Sequence, residues 1–183
     1  MTIITAITGG IGSGKSTFSK EVLKRGFKLL DSDSQVAKFY ENPKKDFLNY
    51  LKKIGLGVCI KQGRVDRKNI AKIIFSDDVV KTKLEKYIFR LIRKERVSFI
   101  NKQKKNKKKI IFFDIPLLFE NNLMKDFDII ISIISTKKNR YKRFKKSKQM
   151  TKNLFNNIVK SQTTDLERKK NSDIIVFNNK SVK

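Results

Sequence analysis

The chain has 183 residues, enough for one domain with a proper core and too few for two ordinary ones, and its 44 Lys and Arg against 17 Asp and Glu give a formal net charge of +27. It contains no histidine and a single cysteine, Cys59. These absences exclude a histidine general base, histidine metal ligands, an intramolecular disulfide and any cysteine-cluster metal site, so acid–base work falls to carboxylates, lysine, tyrosine or water. The weightiest apolar run, Ile129-Ile130-Ile131-Ser132-Ile133-Ile134, is far shorter than the roughly 20 residues of a membrane span, and no leader-like segment precedes the first apolar run. We therefore expect a cytoplasmic protein with no membrane partner.

A charge of +27 raises the question of nucleic acid. The excess is carried by 35 lysines against nine arginines and travels with many Asn, Ile and Phe, the signature of an AT-rich coding bias. The clusters Lys102–Lys109 and Lys142–Lys146 hold little aromatic interleaving for base stacking. A solvated lysine surface is the reading, with no specific nucleic acid partner.

In chain order, Ile3-Ile4-Thr5-Ala6-Ile7-Thr8 reads as a strand and runs into Gly9-Gly10-Ile11-Gly12-Ser13-Gly14-Lys15-Ser16-Thr17, a full match to G-x-x-x-x-G-K-[ST]. In such a loop the glycines let the backbone curl until successive N–H groups point at phosphate oxygens, Lys15 reaches the β and γ phosphates, and the Ser16 hydroxyl ligates Mg²⁺. Candidate nucleotide-binding residues are Gly10, Ile11, Gly12, Ser13, Gly14, Lys15, Ser16 and Thr17, with Mg²⁺ beside the phosphates. A helix from about Lys15 to Lys24 follows, with Phe18, Val22 and Leu23 on one side and Gly26 as its left-handed stop. Phe27–Leu30 is a short second strand ending in Asp31-Ser32-Asp33, where either acid can cap the helix Ser34–Tyr40 while the other, Asp33 by preference, takes a proton from a substrate hydroxyl.

Phe47, Leu51 and Ile54 then mark one apolar helical face, closed by Gly55 and Gly57. Asp66 is placed to cap a helix that Arg67 opens, and on residue type alone Arg67 reads as a surface charge. Ser76-Asp77-Asp78 starts a long helix with Val80, Leu84, Ile88, Leu91 and Glu95 on one stripe, fading into the lysine tract. Ile110–Phe113 reads as a strand buried on both faces and leads into Asp114-Ile115-Pro116-Leu117-Leu118-Phe119-Glu120. An acid at Asp114 suits either a magnesium-holding role or plain bracing of the loop. Phe127–Ser135 and Asp173–Phe177 give two further strands, and the basic stretch 136–171 between them is long enough for two helices and hence a lid, with Thr151 or Asn153 as a cap.

Four of these stretches together resemble the dephospho-coenzyme A kinase family over nearly the whole chain: Thr8–Thr17, Asp31-Ser32-Asp33 with Ala37, Val65-Asp66-Arg67 leading to Phe75, and Asp114–Glu120. Gln162, Ser172-Asp173 and Asn178 fit the family's closing pattern. The resemblance implies an α/β fold, a P-loop three-layer α/β/α arrangement with a five-stranded parallel sheet. The single domain 1–183 would hold a helical acceptor-binding region at 33–109 and a lid region at 136–171. It also implies that the nucleotide is ATP, and that its γ-phosphoryl group is transferred to the ribose 3′-hydroxyl of dephospho-coenzyme A, the last step of coenzyme A synthesis. Asp33 would be the catalytic base and Lys15 would stabilise the transferring group. Ser16 would hold the metal, and Asp33, Arg67 and Asp114 would meet the acceptor side. The readings set against it are another nucleoside or nucleotide kinase on the same scaffold, and a catalytically weak P-loop protein that binds nucleic acid through its lysines.

Three positions depart from the family pattern. Phe89-Arg90 stands where the long helix often carries His-Pro, Ser147 where a lid arginine is expected, and Ile158 near the place of a second. Losing one such charge-assisted contact costs about 1.5–3 kcal/mol, roughly 10- to 100-fold in rate. A slow enzyme is expected, or one in which Arg140 or Arg143 substitutes; Lys146, the other lid candidate, cannot reproduce the bidentate guanidinium contact.

Overall fold

The structure, a computed structural model, describes residues 1–146 and 151–180, Lys146 without its side chain. The chain forms two compact units, one of Met1–Asp31 with the chain from Asn101 onward, the other Ser32–Ile100.

The first unit is built on a five-stranded parallel sheet in the order β2-β5-β1-β6-β7. Its strands are β1 (Ile3–Thr8), β2 (Lys28–Asp31), β5 (Ile110–Asp114), β6 (Ile129–Ile134) and β7 (Ile174–Phe177). Continuous apolar runs become the central strands because both faces of a parallel sheet are covered, and Ala6, Ile7, Ile111 and Phe113 have no exposed surface. Helix α1 (Lys15–Lys24) lays Val22 and Phe18 on a cluster of Ile7, Phe112, Ile131 and Ile133. Leu23, expected on that same side, is instead exposed. Gly26, at φ +80°, ends the helix by donating its N–H to Leu23 O at 2.9 Å.

Between β6 and β7, three helices stand among the described residues where two were expected: α6 (Lys137–Lys146), α7 (Lys152–Ser161) and α8 (Asp165–Lys170). Thr151 caps α7, its hydroxyl accepting from Leu154 N at 3.2 Å, as read from the sequence. The unexpected break before α8 is made by Thr164, which shares a reciprocal capping box with Glu167.

In the second unit α2 (Ser32–Glu41), α3 (Lys45–Lys53), α4 (Arg67–Ser76) and α5 (Asp78–Lys105, in this unit as far as Ile100) surround one core. Phe47, Leu51 and Ile54 are buried there as their spacing requires, with Leu56, Cys59, Ile70, Leu84 and Tyr87. Asp66 caps α4 by accepting from Asn69 N at 3.1 Å. Helix α2 begins at Ser32 rather than Ser34, because no loop separates it from β2, and this places Asp33 inside its first turn. A small hairpin, β3 (Ile60–Lys61) with β4 (Arg64–Val65), was not expected. Its two-residue strands are too short to show alternation. Gln62 and Gly63 both have positive φ, 49° and 75°, the turn that suits a tight hairpin.

Candidate active site

The sheet register brings the sequence candidates of the first unit to one edge. Asp114, the last residue of β5, lies opposite Ile7 of β1 and Asp31 of β2, and the glycine loop leaves the same end of β1. In open parallel sheets this carboxyl edge, where strand order reverses about β1, is where ligands bind.

Within the loop, Gly12 and Gly14 adopt left-handed φ values of 70° and 97°. A side chain at Gly12 would also run into the backbone of Arg140, and one at Gly14 into the amide of Asn178. Gly14 caps α1, its carbonyl accepting from Thr17 N and Phe18 N at 3.0 and 3.1 Å. No acid lies in the first turn of α1, so the positive end of the helix dipole is not neutralised where phosphate would sit.

The outer side of the loop is held by side chains from later in the chain. Arg140 Nε donates to Ile11 O at 2.8 Å, and Arg143 donates to Gly12 O and Ser13 O at 3.3 and 3.2 Å. Asn178 Nδ2 donates to Ser13 O at 2.9 Å, while Gln162 Oε1 accepts from Ile11 N at 2.9 Å. Satisfying three successive carbonyls from outside keeps their negative ends away from an incoming anion. Arg143 is itself fixed by Asn178 O at 2.8 Å and Ser135 Oγ at 3.1 Å. Burial pushes the Arg140 guanidinium below its ordinary value; Asp165, 3.6 Å away, favours its charge and nearby Arg168 opposes it. Arg140 and Arg143 thus direct donors to the backbone of the loop and others to Asp165, Asn178 and Ser135. Lys146 closes α6 with its side chain outside the description, and Ser147 lies outside the described residues.

Asp114 is 3% exposed and accepts from Lys15 Nζ and from Ser19 Oγ, the latter at 2.7 Å. Two residues far apart in sequence thereby form one ion pair at the foot of the loop, and Ser16 stands exposed beside it in the first turn of α1. In the second unit, Asp33 lies exposed on α2, and the guanidinium of Arg67 sits 5.0 Å above the ring of Tyr40. Burial raises the Tyr40 phenol while the charge of Arg67 lowers it. Arg90, at the place of the expected His-Pro, stacks on Tyr87 at 4.7 Å, and Phe89 is exposed.

No group of three or more His, Cys, Asp or Glu suited to a metal occurs among the described residues. The donors at this edge, the Ser16 hydroxyl and the Asp114 carboxylate, suit a magnesium ion that arrives with most of its ligands from phosphate and water.

A family model described as dephospho-CoA kinase matches residues 3–183. The chain belongs to the dephospho-CoA kinase family. A dephospho-CoA kinase of Fusobacterium nucleatum is 35% identical over 98% of this chain and 91% of its own length. One from Rhizobium etli is 30% identical over 96% and 85%. Among solved structures, the dephospho-CoA kinase of Campylobacter jejuni superposes with a TM-score of 0.74 at 25% identity, over 99% of this chain and 90% of that one. A Thermus thermophilus protein shares the fold with a TM-score of 0.81 at 24% identity, over 98% and 90%.

For a dephospho-CoA kinase, one residue of consequence escaped sequence reasoning. Arg168 is 1% exposed, donates to Thr163 O, and pairs with Asp165 and Glu120 at 3.3 and 3.4 Å. Its neighbours Glu167, Lys169 and Lys170 make the stretch look like solvated surface, so no local signal marks it. The family's closing residues acquire places: Asp173 accepts from Ile130 N at 2.8 Å, Ser172 bonds Ser132 at 2.7 Å, and Gln162 and Asn178 hold the loop.

Proposed function

We propose that this chain transfers the γ-phosphoryl group of ATP to the ribose 3′-hydroxyl of dephospho-coenzyme A, giving coenzyme A and ADP. Its family makes it a phosphotransferase of coenzyme A synthesis, and favours dephospho-CoA over a nucleoside acceptor or a nucleic acid partner. The observation that carries the site reading is the Lys15–Asp114 pair, which joins a complete phosphate loop to the end of the adjacent strand at the ligand-binding edge of the sheet.

On this reading the N–H groups of the loop and the start of α1 bind the β and γ phosphates. Lys15 exchanges its partner, leaving Asp114 for the phosphates and neutralising charge on the group in flight. Asp33 accepts the proton of the acceptor hydroxyl, Arg67 offers its guanidinium to the anionic part of the acceptor, and Ser19 keeps Asp114 oriented once Lys15 has moved. Ser16 and Asp114 would hold Mg²⁺ directly or through water, and the ion would offset phosphate charge there. Positioning and electrostatics supply most of the acceleration in such a transfer. No helix of the described residues is long and apolar enough to cross a membrane.

The test is ADP release measured with and without dephospho-coenzyme A. Release that depends on the acceptor supports the reading, and phosphate accepted only by nucleosides or nucleotides refutes it.

A further inference from the structure

We infer that the turn between α7 and α8 sets the peptide orientation at the apex of the phosphate loop, and that Gln162 and Arg168 are positioning residues for the ATP phosphates. This deepens the reading of the site as an ATP-dependent phosphotransferase and rests on it.

Ile11, at the apex of the loop, is gripped on both sides of its backbone. Gln162 Oε1 accepts its N–H at 2.9 Å and Arg140 Nε donates to its carbonyl at 2.8 Å. Both grips lead to one place, because Gln162 opens the turn and Asp165, which closes it, pairs with Arg140 at 3.6 Å. The peptides on either side of Ile11 therefore take their orientation from residues 151 and 129 positions later in the chain. The loop N–H groups converge on phosphate only if those peptides are turned correctly.

The turn in its own right is held by Arg168. That guanidinium donates to Thr163 O and pairs with Asp165, and it reaches Glu120, whose Oε1 also accepts from Thr163 N at 2.7 Å. Glu120 lies in the same post-strand segment as Asp114. The turn is thus fastened to the loop that follows β5 and hands its position to the loop that follows β1. A buried guanidinium is costly unless it is paired, and hydrophobic filling would serve stability equally well. What the charged arrangement adds is direction. Arg168 Nε and Glu120 Oε2 make no hydrogen bond among the described residues, so the two side chains meet at one point rather than two. A lysine can reproduce that one contact but not the fork that also reaches Thr163 O and Asp165.

Four variants test the inference, by steady-state kinetics and by equilibrium titration with ATP in the absence of acceptor. Gln162→Met keeps the length of the side chain and removes the acceptor. It is expected to raise both KM and Kd for ATP about five- to tenfold, the size of one hydrogen bond. KM for dephospho-coenzyme A should stay as in the parent, and the melting temperature should fall by no more than about 2–4 °C. Arg168→Met should weaken ATP similarly, Arg168→Lys should recover part of that loss by keeping the charge beside Glu120 and Asp165, and the double variant Gln162→Met/Arg168→Met should be little worse for ATP than either single one, because both act through one turn.

ATP affinity within twofold of the parent in Gln162→Met overturns the inference, as do equal rises for both substrates or fully multiplicative effects in the double variant. Should Arg168→Met fail to fold, Gln162→Met and Arg168→Lys still decide. If the parent lacks acceptor-dependent turnover the functional reading fails, whereas the ATP titration continues to judge the role of the turn.

Discussion

The two units of the molecule are held together in different ways. In the unit built on the parallel sheet, the glycine loop and the Asp114 carboxylate are gripped by directional contacts from buried or half-buried polar side chains: Arg140, Arg143, Asn178 and Gln162 on the loop backbone, Ser19 and Lys15 on Asp114. The other unit rests on packed rings and aliphatic side chains. Tyr50 and Tyr87 stack at 3.8 Å between centroids, Phe47 lies against Tyr87 at 5.9 Å, and Tyr40 meets Phe47 edge-on at 5.4 Å. The difference follows from what each must present. Phosphate is bound by several backbone N–H groups at once, so the loop must be placed to within a fraction of an ångström, and only hydrogen bonds specify direction that finely. A platform that carries Asp33 and Arg67 on helices needs chiefly to be solid, which apolar packing achieves.

This contrast can be broken or sharpened by experiment. The largest effect is expected from Asp33→Asn, which should lower kcat about 10²- to 10⁴-fold, the usual size of general-base catalysis, while ATP affinity stays unchanged. Unchanged turnover would remove Asp33 from the base role and with it the chemical importance of the second unit. Leu51→Ala, in the aromatic-lined core where Leu51 has no exposed surface, should cost about 2–5 kcal/mol of stability by denaturant titration. ATP affinity of the folded fraction should not change; weaker ATP binding there would mean that the two units do not divide the work as described. Asp114→Asn, which weakens the partner of Lys15 without emptying the site, should reduce kcat/KM by roughly 10- to 100-fold, as losses of orienting partners commonly do. A melting shift with full activity would make Asp114 a brace only. The smallest effects are expected at the caps: Thr151→Ala on α7 and Asp66→Ala on α4 should each cost about 1 kcal/mol. Similar values in both units would show that end-capping is local and independent of how each core is built.

Much of this organisation was legible before the fold. The phosphate loop, the apolar strands and the face Phe47–Leu51–Ile54 follow from local pattern, since each depends on neighbours within a few residues. Asp114 was legible as an acid after a buried strand, yet its pairing with Lys15 was not, because 99 residues separate them and only the β1–β5 register closes that distance. The hairpin at Gln62-Gly63 was hidden by strands of two residues, and the third helix after β6 by a capping box inside a polar run that also reads as continuous helix. Arg140 and Arg143 were legible as basic residues of a lid-like stretch. The structure shows what that stretch could not, that each of them also donates to the loop, at the carbonyls of Ile11, Gly12 and Ser13.

The amino-acid sequence alone determined the phosphate-loop motif, because that pattern is written in contiguous residues whose spacing is itself the mechanism. It also determined the family, through separated motifs that need no knowledge of distance. Only the tertiary structure decided which cations face the backbone, why Arg168 is buried among lysines that are not, and how Gln162 comes to hold Ile11. Those outcomes depend on burial and on the meeting of side chains from opposite ends of the chain, and neither is a property of any local stretch.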